Sequence, residues 1–130
     1  MSDSVTLTIP RNPQYYGVVR LVVGGLAAGL SLSLDALDDL WLAIGSLLDN
    51  EDLPVDDDVT LRLEVRDDAL IASLGTFAAQ SADKAFDRAH PDGPEFGLRR
   101  MLDTIVDDVD IRAHDDGEWI TLTKRVRAAV

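Results

Sequence analysis

Val5, Leu7 and Ile9 alternate with threonines near the start of the chain, which is the period of a half-buried strand. Asn12 and Pro13 then supply a capping side chain and a first-turn proline, so a helix is predicted from Pro13 towards Gly29. That helix is apolar almost all round apart from Arg20, which predicts burial on more than one side. Ser33 caps a second helix, with Asp35 in its first turn. Leu34, Leu37, Trp41, Ile44 and Leu48 make its apolar stripe, and Pro54 marks where it has ended. Beside that stripe runs a second one of small and polar residues: Asp39, Ala43, Ser46 and Asn50. The spacing turns Ser46 and Asn50 to one face and sends Trp41 and Ile44 towards a sheet.

Apolar residues at 59, 61, 63 and 65 define a strand over 59–66; Asp67 and Asp68 turn it back into "ALIASL" as an antiparallel hairpin. From Gly75 the periodicity fades and Ser, Asp, Pro and Gly accumulate through "HPDGP", so an irregular, lid-like segment is expected over about 75–96. A third helix starts near Gly97, with Leu98, Leu102, Ile105 and Val106 inward. "VDIRAH", the turn "DDG" at 115–117 and "EWITLTKRV" make a second hairpin. The order is strand, helix, helix, hairpin, loop, helix, hairpin. Two helices follow each other with no strand between them, which argues against a doubly wound sheet. The fold class predicted is α/β in the α+β sense: a two-layer sandwich, its mostly antiparallel mixed sheet covered by helices on one face.

Composition narrows the partners. At 130 residues and 46% hydrophobic the chain has the content of a single domain with one core. Acidic residues outnumber basic ones 24 to 12, and the resulting charge of −12 repels phosphate backbones and anionic lipid, so neither nucleic acid nor a membrane surface is expected as partner. The absence of Cys removes disulfides, thiolate metal sites and Cys nucleophiles. The apolar run 21–34 carries three glycines and is shorter than the ~20 residues of a membrane span. "MSDSVTLTIP" has an early acid and no basic n-region, unlike a signal peptide, so a cytoplasmic protein is expected.

Three stretches carry a resemblance. "TIPRNPQYYGVVR", "DLWLAIGSLLDN" and "MLDTIVDDVDI" together resemble the histidine-kinase-like ATPase fold, and within it the bacterial anti-sigma-factor serine kinases. They match the family's first strand and helix opening, its nucleotide-binding helix, and its last helix with the strand after it. In that family the nucleotide-binding helix carries a Glu, the general base, four residues before an Asn that ligates magnesium. Asn50 matches the Asn, while Ser46 stands at the Glu. Asp49 and Glu51, as neighbours of Asn50, are turned by about 100 degrees and are not expected to replace the base. A serine hydroxyl does not accept the proton at neutral pH. Where the family places an adenine-binding Asp among glycines, this chain reads "LGTFAAQ", keeping Gly75 without the Asp. Of the glycine-rich phosphate turn only Gly97 of "FGLRR" remains.

The resemblance therefore implies a degenerate pocket of Asn50, Gly75 and Gly97, with no catalytic residue, no cofactor and no metal. ATP and magnesium, the latter on Asn50, enter only if the kinase reading holds. Implied partners are a sigma factor or an anti-sigma-antagonist protein, with a homodimer as the binding unit. The expected function is that of a catalytically inactive anti-sigma-type regulator acting by protein–protein binding. The alternatives are an active ATP-dependent serine kinase with a displaced base, or a small acidic α/β domain with an unrelated ligand. Arg99 and Arg100 stand near a predicted helix start, where positive charge opposes the dipole, which marks them as candidates for an acidic partner. His90 and His114 lack convergent ligand spacing, and "NEDLPVDDD" lacks the spaced ligands and glycine of a calcium loop.

Overall fold

A computed structural model describes residues 3–30, 32–49, 58–77 and 98–126. Strand β1 (Asp3–Pro10) leads through a 3-10 turn (Pro13–Tyr15) into α1 (Tyr16–Gly29), and α2 (Leu34–Leu48) follows. A hairpin of β2 (Asp58–Arg66) and β3 (Ala69–Phe77), helix α3 (Leu98–Ile105) and a hairpin of β4 (Asp108–His114) and β5 (Gly117–Arg125) complete the order. Local chemistry explains the boundaries. The Asn12 side chain accepts from the Gln14 N–H at 3.2 Å, and Ser33 Oγ accepts from the Ala36 N–H at 3.1 Å. Asp67 turns the first hairpin with φ 54°, a left-handed conformation that Asp tolerates. Gly117 sits at φ 135° in the second, where a Cβ would lie 2.6 Å from the Phe77 carbonyl oxygen.

The five strands form one sheet in the order β1-β2-β3-β5-β4, and every pairing among them is antiparallel. Alternation along β2 sends Val59, Leu61 and Leu63 to one face; Leu70, Ala72 and Leu74 of β3 and Ile120 and Leu122 of β5 join them there. The helices cover that face, with α2 in the middle, packed against α1, α3 and β5. The core is thus one layer thick, and the opposite sheet face carries no helix of the described chain. This is the two-layer α+β sandwich.

Three expectations change. Helix α1 is buried along one line only, Tyr16, Val19, Val23 and Ala27, while Val18 and Leu21 are exposed, Leu21 at 78%. With a single helical layer, α1 has no neighbour on its outer side. Helix α2 buries Leu40, Ala43, Ile44, Leu47 and Leu48, a face rotated from the expected stripe; Leu34 is 71% exposed, and Ala43, placed with the polar stripe, is in the core. Strand β3 runs on through Gly75 to Phe77, so the start of the expected irregular segment is regular strand; the remainder, 78–96, lies outside the described residues.

Candidate functional site

The outer side of α2, where it meets α1 and α3, frames an open cavity of about 900 Å³. Tyr16 and Arg20 of α1 form one wall and Leu98 and Met101 of α3 the other. Along the floor run Asp38, Trp41, Gly45 and Ser46 of α2, with Asp49 at its C-terminal cap. Trp41 therefore faces α1 and not the sheet, and the Arg20 guanidinium lies 5.8 Å from its ring centroid. Arg20 also pairs with Asp38 at 3.5 Å, an exposed ion pair of small energetic weight.

Ser46 sits in this cavity, half-buried. Its hydroxyl donates to the Leu42 carbonyl one turn back at 2.8 Å, and Met101 Sδ stands 3.9 Å from the same oxygen. The hydroxyl proton is thus committed to the helix backbone, and a soft apolar group from α3 lies against it. The C-terminal end of α2 is tied down from the β1–α1 side: Arg11 Nε donates to the Leu48 carbonyl at 2.9 Å, and the Tyr16 hydroxyl reaches the same oxygen at 3.4 Å. A cation at that end also suits the helix dipole. Burial pushes the Tyr16 phenol above its ordinary value, and the Asp49 carboxylate nearby pushes in the same direction, partly offset by Arg11.

Asp49, not expected to replace the base, lines the same cavity as Ser46. Three residues beyond Ser46 is about 300 degrees of helix, only about 60 degrees from it, so both reach the same cavity. That signal was available in the spacing. Tyr16 and Met101 were not legible, because their presence here depends on how α1 and α3 dock against α2.

The other candidate residues do not converge on this cavity. Asn50 and Gly97, like His90, lie outside the described residues. Gly75 is on β3, and its free side turns to the sheet face away from the helices, where Trp119 lies flat on it. A Cβ there would stand 2.5 Å from Trp119 Cδ2, so the close approach of the indole by itself requires glycine. Arg99 pairs with Asp103 one turn along α3 at 3.2 Å, which offsets its unfavourable place near the helix start. Arg100 is exposed beside it. His114 is exposed at the end of β4, and among the described residues no group of three or more His, Asp or Glu side chains could hold a metal ion.

One antiparallel sheet under one layer of helices, with a cavity on the outer side of the middle helix, defines a protein of the histidine-kinase-like ATPase fold. A solved structure, that of the RsbU and RsbW domains of Rv1364c from Mycobacterium tuberculosis, superposes with a TM-score of 0.65 at 18% identity over 95% of this chain; the match spans 32% of that longer chain. In sequence the chain is similar to the serine-protein kinase RsbW of Listeria innocua, 24% identical over 97% of this chain and 89% of the relative. It is also similar to RsbW of Bacillus subtilis, 26% identical over 95% of this chain and 86% of the relative, and to that of Bacillus licheniformis, 27% identical over the same shares. No family model matches. The resemblance to the anti-sigma-factor serine kinase type thus extends over nearly the whole chain. No helix among the described residues is long and apolar enough to cross a membrane.

Proposed function

We propose that the chain is an anti-sigma-type regulator in the cytoplasm of a bacterium that acts by binding a protein, a sigma factor or an anti-sigma antagonist, without transferring phosphate. The observation that carries this reading is Ser46. By the resemblance it stands where the family has its general base; its hydroxyl donates to the Leu42 carbonyl, and Met101 Sδ lies 3.9 Å from it. A hydroxyl so placed cannot take a proton from a substrate serine at neutral pH. Binding itself is supported by exposed apolar side chains of the helical layer: Leu42 of α2, which lines the cavity, and Val18 and Leu21 of α1. The test measures affinity for the cognate sigma factor and antagonist alongside transfer of labelled γ-phosphate to the antagonist. Nanomolar to micromolar binding without transfer is expected. Transfer by the parent protein overturns the inactive reading.

A second reading has one specific observation in its favour. Asp49 places a carboxylate in the cavity that holds Ser46, which is what an active serine kinase with a displaced base requires. On that reading transfer occurs and Asp49→Asn abolishes it while partner binding survives. ATP and magnesium would then be bound, with Asn50 the metal ligand.

A further inference from the structure

The geometry points to Met101 as a modification site: oxidation of its thioether by a peroxide to the sulfoxide loosens the first turn of α3 from α2 and so opens one wall of the cavity. Sulfur is scarce in this chain. It has no Cys and two Met, so Met1 and Met101 hold all of it, and Met101 stands within helix α3. Its side chain is only partly buried and lines the open cavity of about 900 Å³, so a molecule as small as hydrogen peroxide reaches the sulfur from solvent.

Packing, not length, keeps α3 helical. It has eight residues, and isolated helices shorter than about 12–15 residues are marginal in water. Leu98, Met101, Leu102 and Ile105 form its apolar line at i, i+3, i+4 and i+7, while Arg99, Arg100, Asp103 and Thr104 are exposed. Leu102 is fully buried and Lys124 Nζ donates to the Ile105 carbonyl at 2.7 Å, which pins the C-terminal half. The first turn rests on Leu98 and Met101, the two residues of α3 that line the cavity. Weakening the Met101 contact therefore frees that turn first.

In the oxidation the thioether sulfur gives an electron pair to one oxygen of hydrogen peroxide and the O–O bond breaks. The leaving hydroxide takes the proton from the new S–O–H group and departs as water; sulfur is oxidised by two electrons and the peroxide reduced by two. The product replaces a soft apolar atom with a strong hydrogen-bond acceptor, which is costly to bury without a donor. Ser46 Oγ lies 3.9 Å from the sulfur, but its proton goes to the Leu42 carbonyl at 2.8 Å, and the Tyr16 hydroxyl reaches the Leu48 carbonyl at 3.4 Å. Asp49, also in the lining, brings acceptor oxygens only. With both hydroxyls already engaged, the sulfoxide oxygen is satisfied by water, which draws the side chain away from α2 and takes Leu98 with it.

The loosening concerns α3 alone; only its bearing on a protein partner rests on the reading above. The test treats the full chain with hydrogen peroxide, maps the added oxygen by peptide mass, and follows amide exchange at residues 102–105, whose helix bonds reach back to the carbonyls of the first turn. In the parent, Met101 should gain one oxygen under native conditions. Those amides should then exchange at least about tenfold faster, while the amides of β2 and β3 keep their rates. Methionine sulfoxide reductase should reverse both changes. Met101→Leu keeps the volume without the sulfur, so under the same peroxide it should exchange like its untreated form. A Met101 that takes oxygen only after denaturation, a sulfoxide whose α3 amides exchange as before, or a Met101→Leu chain that loosens as much as the parent would each overturn the proposal. A reduced chain that binds neither sigma factor nor antagonist would instead sink the partner reading, while mass and exchange still decide this one.

Discussion

Single atoms decide two features of this protein. Gly75 looks in the sequence like a remnant of an adenine site, yet its missing Cβ is accounted for by Trp119, whose ring atoms stand closer than any Cβ tolerates. Gly75→Ala is expected to cost on the order of 1–3 kcal/mol in denaturant unfolding, as overpacking does. Trp119→Ala in the same chain should erase most of that increment, because the clash is then gone. A full cost persisting in the double variant would give Gly75 another role. Tyr16 is the second case. Its phenol is pushed above the ordinary value of about 10 by burial and by Asp49, so the folded state prefers the neutral form. The stability this preference brings is fully present below the unfolded value and is lost as pH rises through the folded one. The melting temperature should therefore fall more steeply above about pH 10 in the parent than in Tyr16→Phe. Equal slopes would show that the phenol does not sense Asp49 or its burial.

Hairpins were legible where helix faces were not. The β2–β3 and β4–β5 turns are written in "DD" and "DDG", and strict alternation fixes which side of each strand is inward. Helix α2 is different. Leu34, Leu37, Leu40, Trp41, Leu42, Ala43, Ile44, Leu47 and Leu48 are apolar over more than half its circumference, so periodicity allows several buried faces. Docking against α1, α3 and β5 selected Leu40, Ala43 and Leu47 and released Leu34. The lining of the cavity follows from that docking: Ser46 and Asp49 reach it by their spacing on α2, whereas the presence of Tyr16 and Met101 depends on how α1 and α3 pack and was not legible in the sequence. One element contact was also beyond the sequence. Lys124 of β5 is nearly buried and donates to the Ile105 carbonyl at the end of α3 at 2.7 Å, with Asp39 of α2 at 3.5 Å. Lys124→Met leaves that carbonyl without its donor and is expected to cost about 1–3 kcal/mol. Asp39→Asn should cost less than about 1 kcal/mol, because its carboxylate is largely in water. Urea midpoints of the two variants give the comparison, and equal losses would mean that the ion pair, not the bond to the carbonyl, pins α3.

At the scale of the whole molecule the two layers divide the work. The helical layer carries the cavity and exposed apolar side chains, which the proposed partner binding would use; the bare sheet carries charged and hydroxyl side chains. Whether a nucleotide enters this division is a question of linkage, since any ligand bound only by the folded state stabilises it by RT ln(1 + [L]/Kd). A dissociation constant of ~10 μM with ~1 mM magnesium ATP would add about 2.7 kcal/mol, which for a domain of this size raises the melting temperature by roughly 10 °C. The inactive reading expects no such rise. It further expects that Ser46→Glu, which restores a carboxylate at the base position, recovers no phosphotransfer. A base cannot act on a nucleotide that is not held, and the chain has neither an Asp near Gly75 nor a run of glycines before α3 to hold one. Thermal melts of the parent and of Ser46→Glu with and without magnesium ATP, beside the labelled-phosphate assay, separate the outcomes. A large shift in the parent that survives Ser46→Glu but disappears in Asn50→Ala would establish a metal–nucleotide site and with it the kinase reading; an unmoved melting temperature in all three leaves protein binding as the activity of this fold.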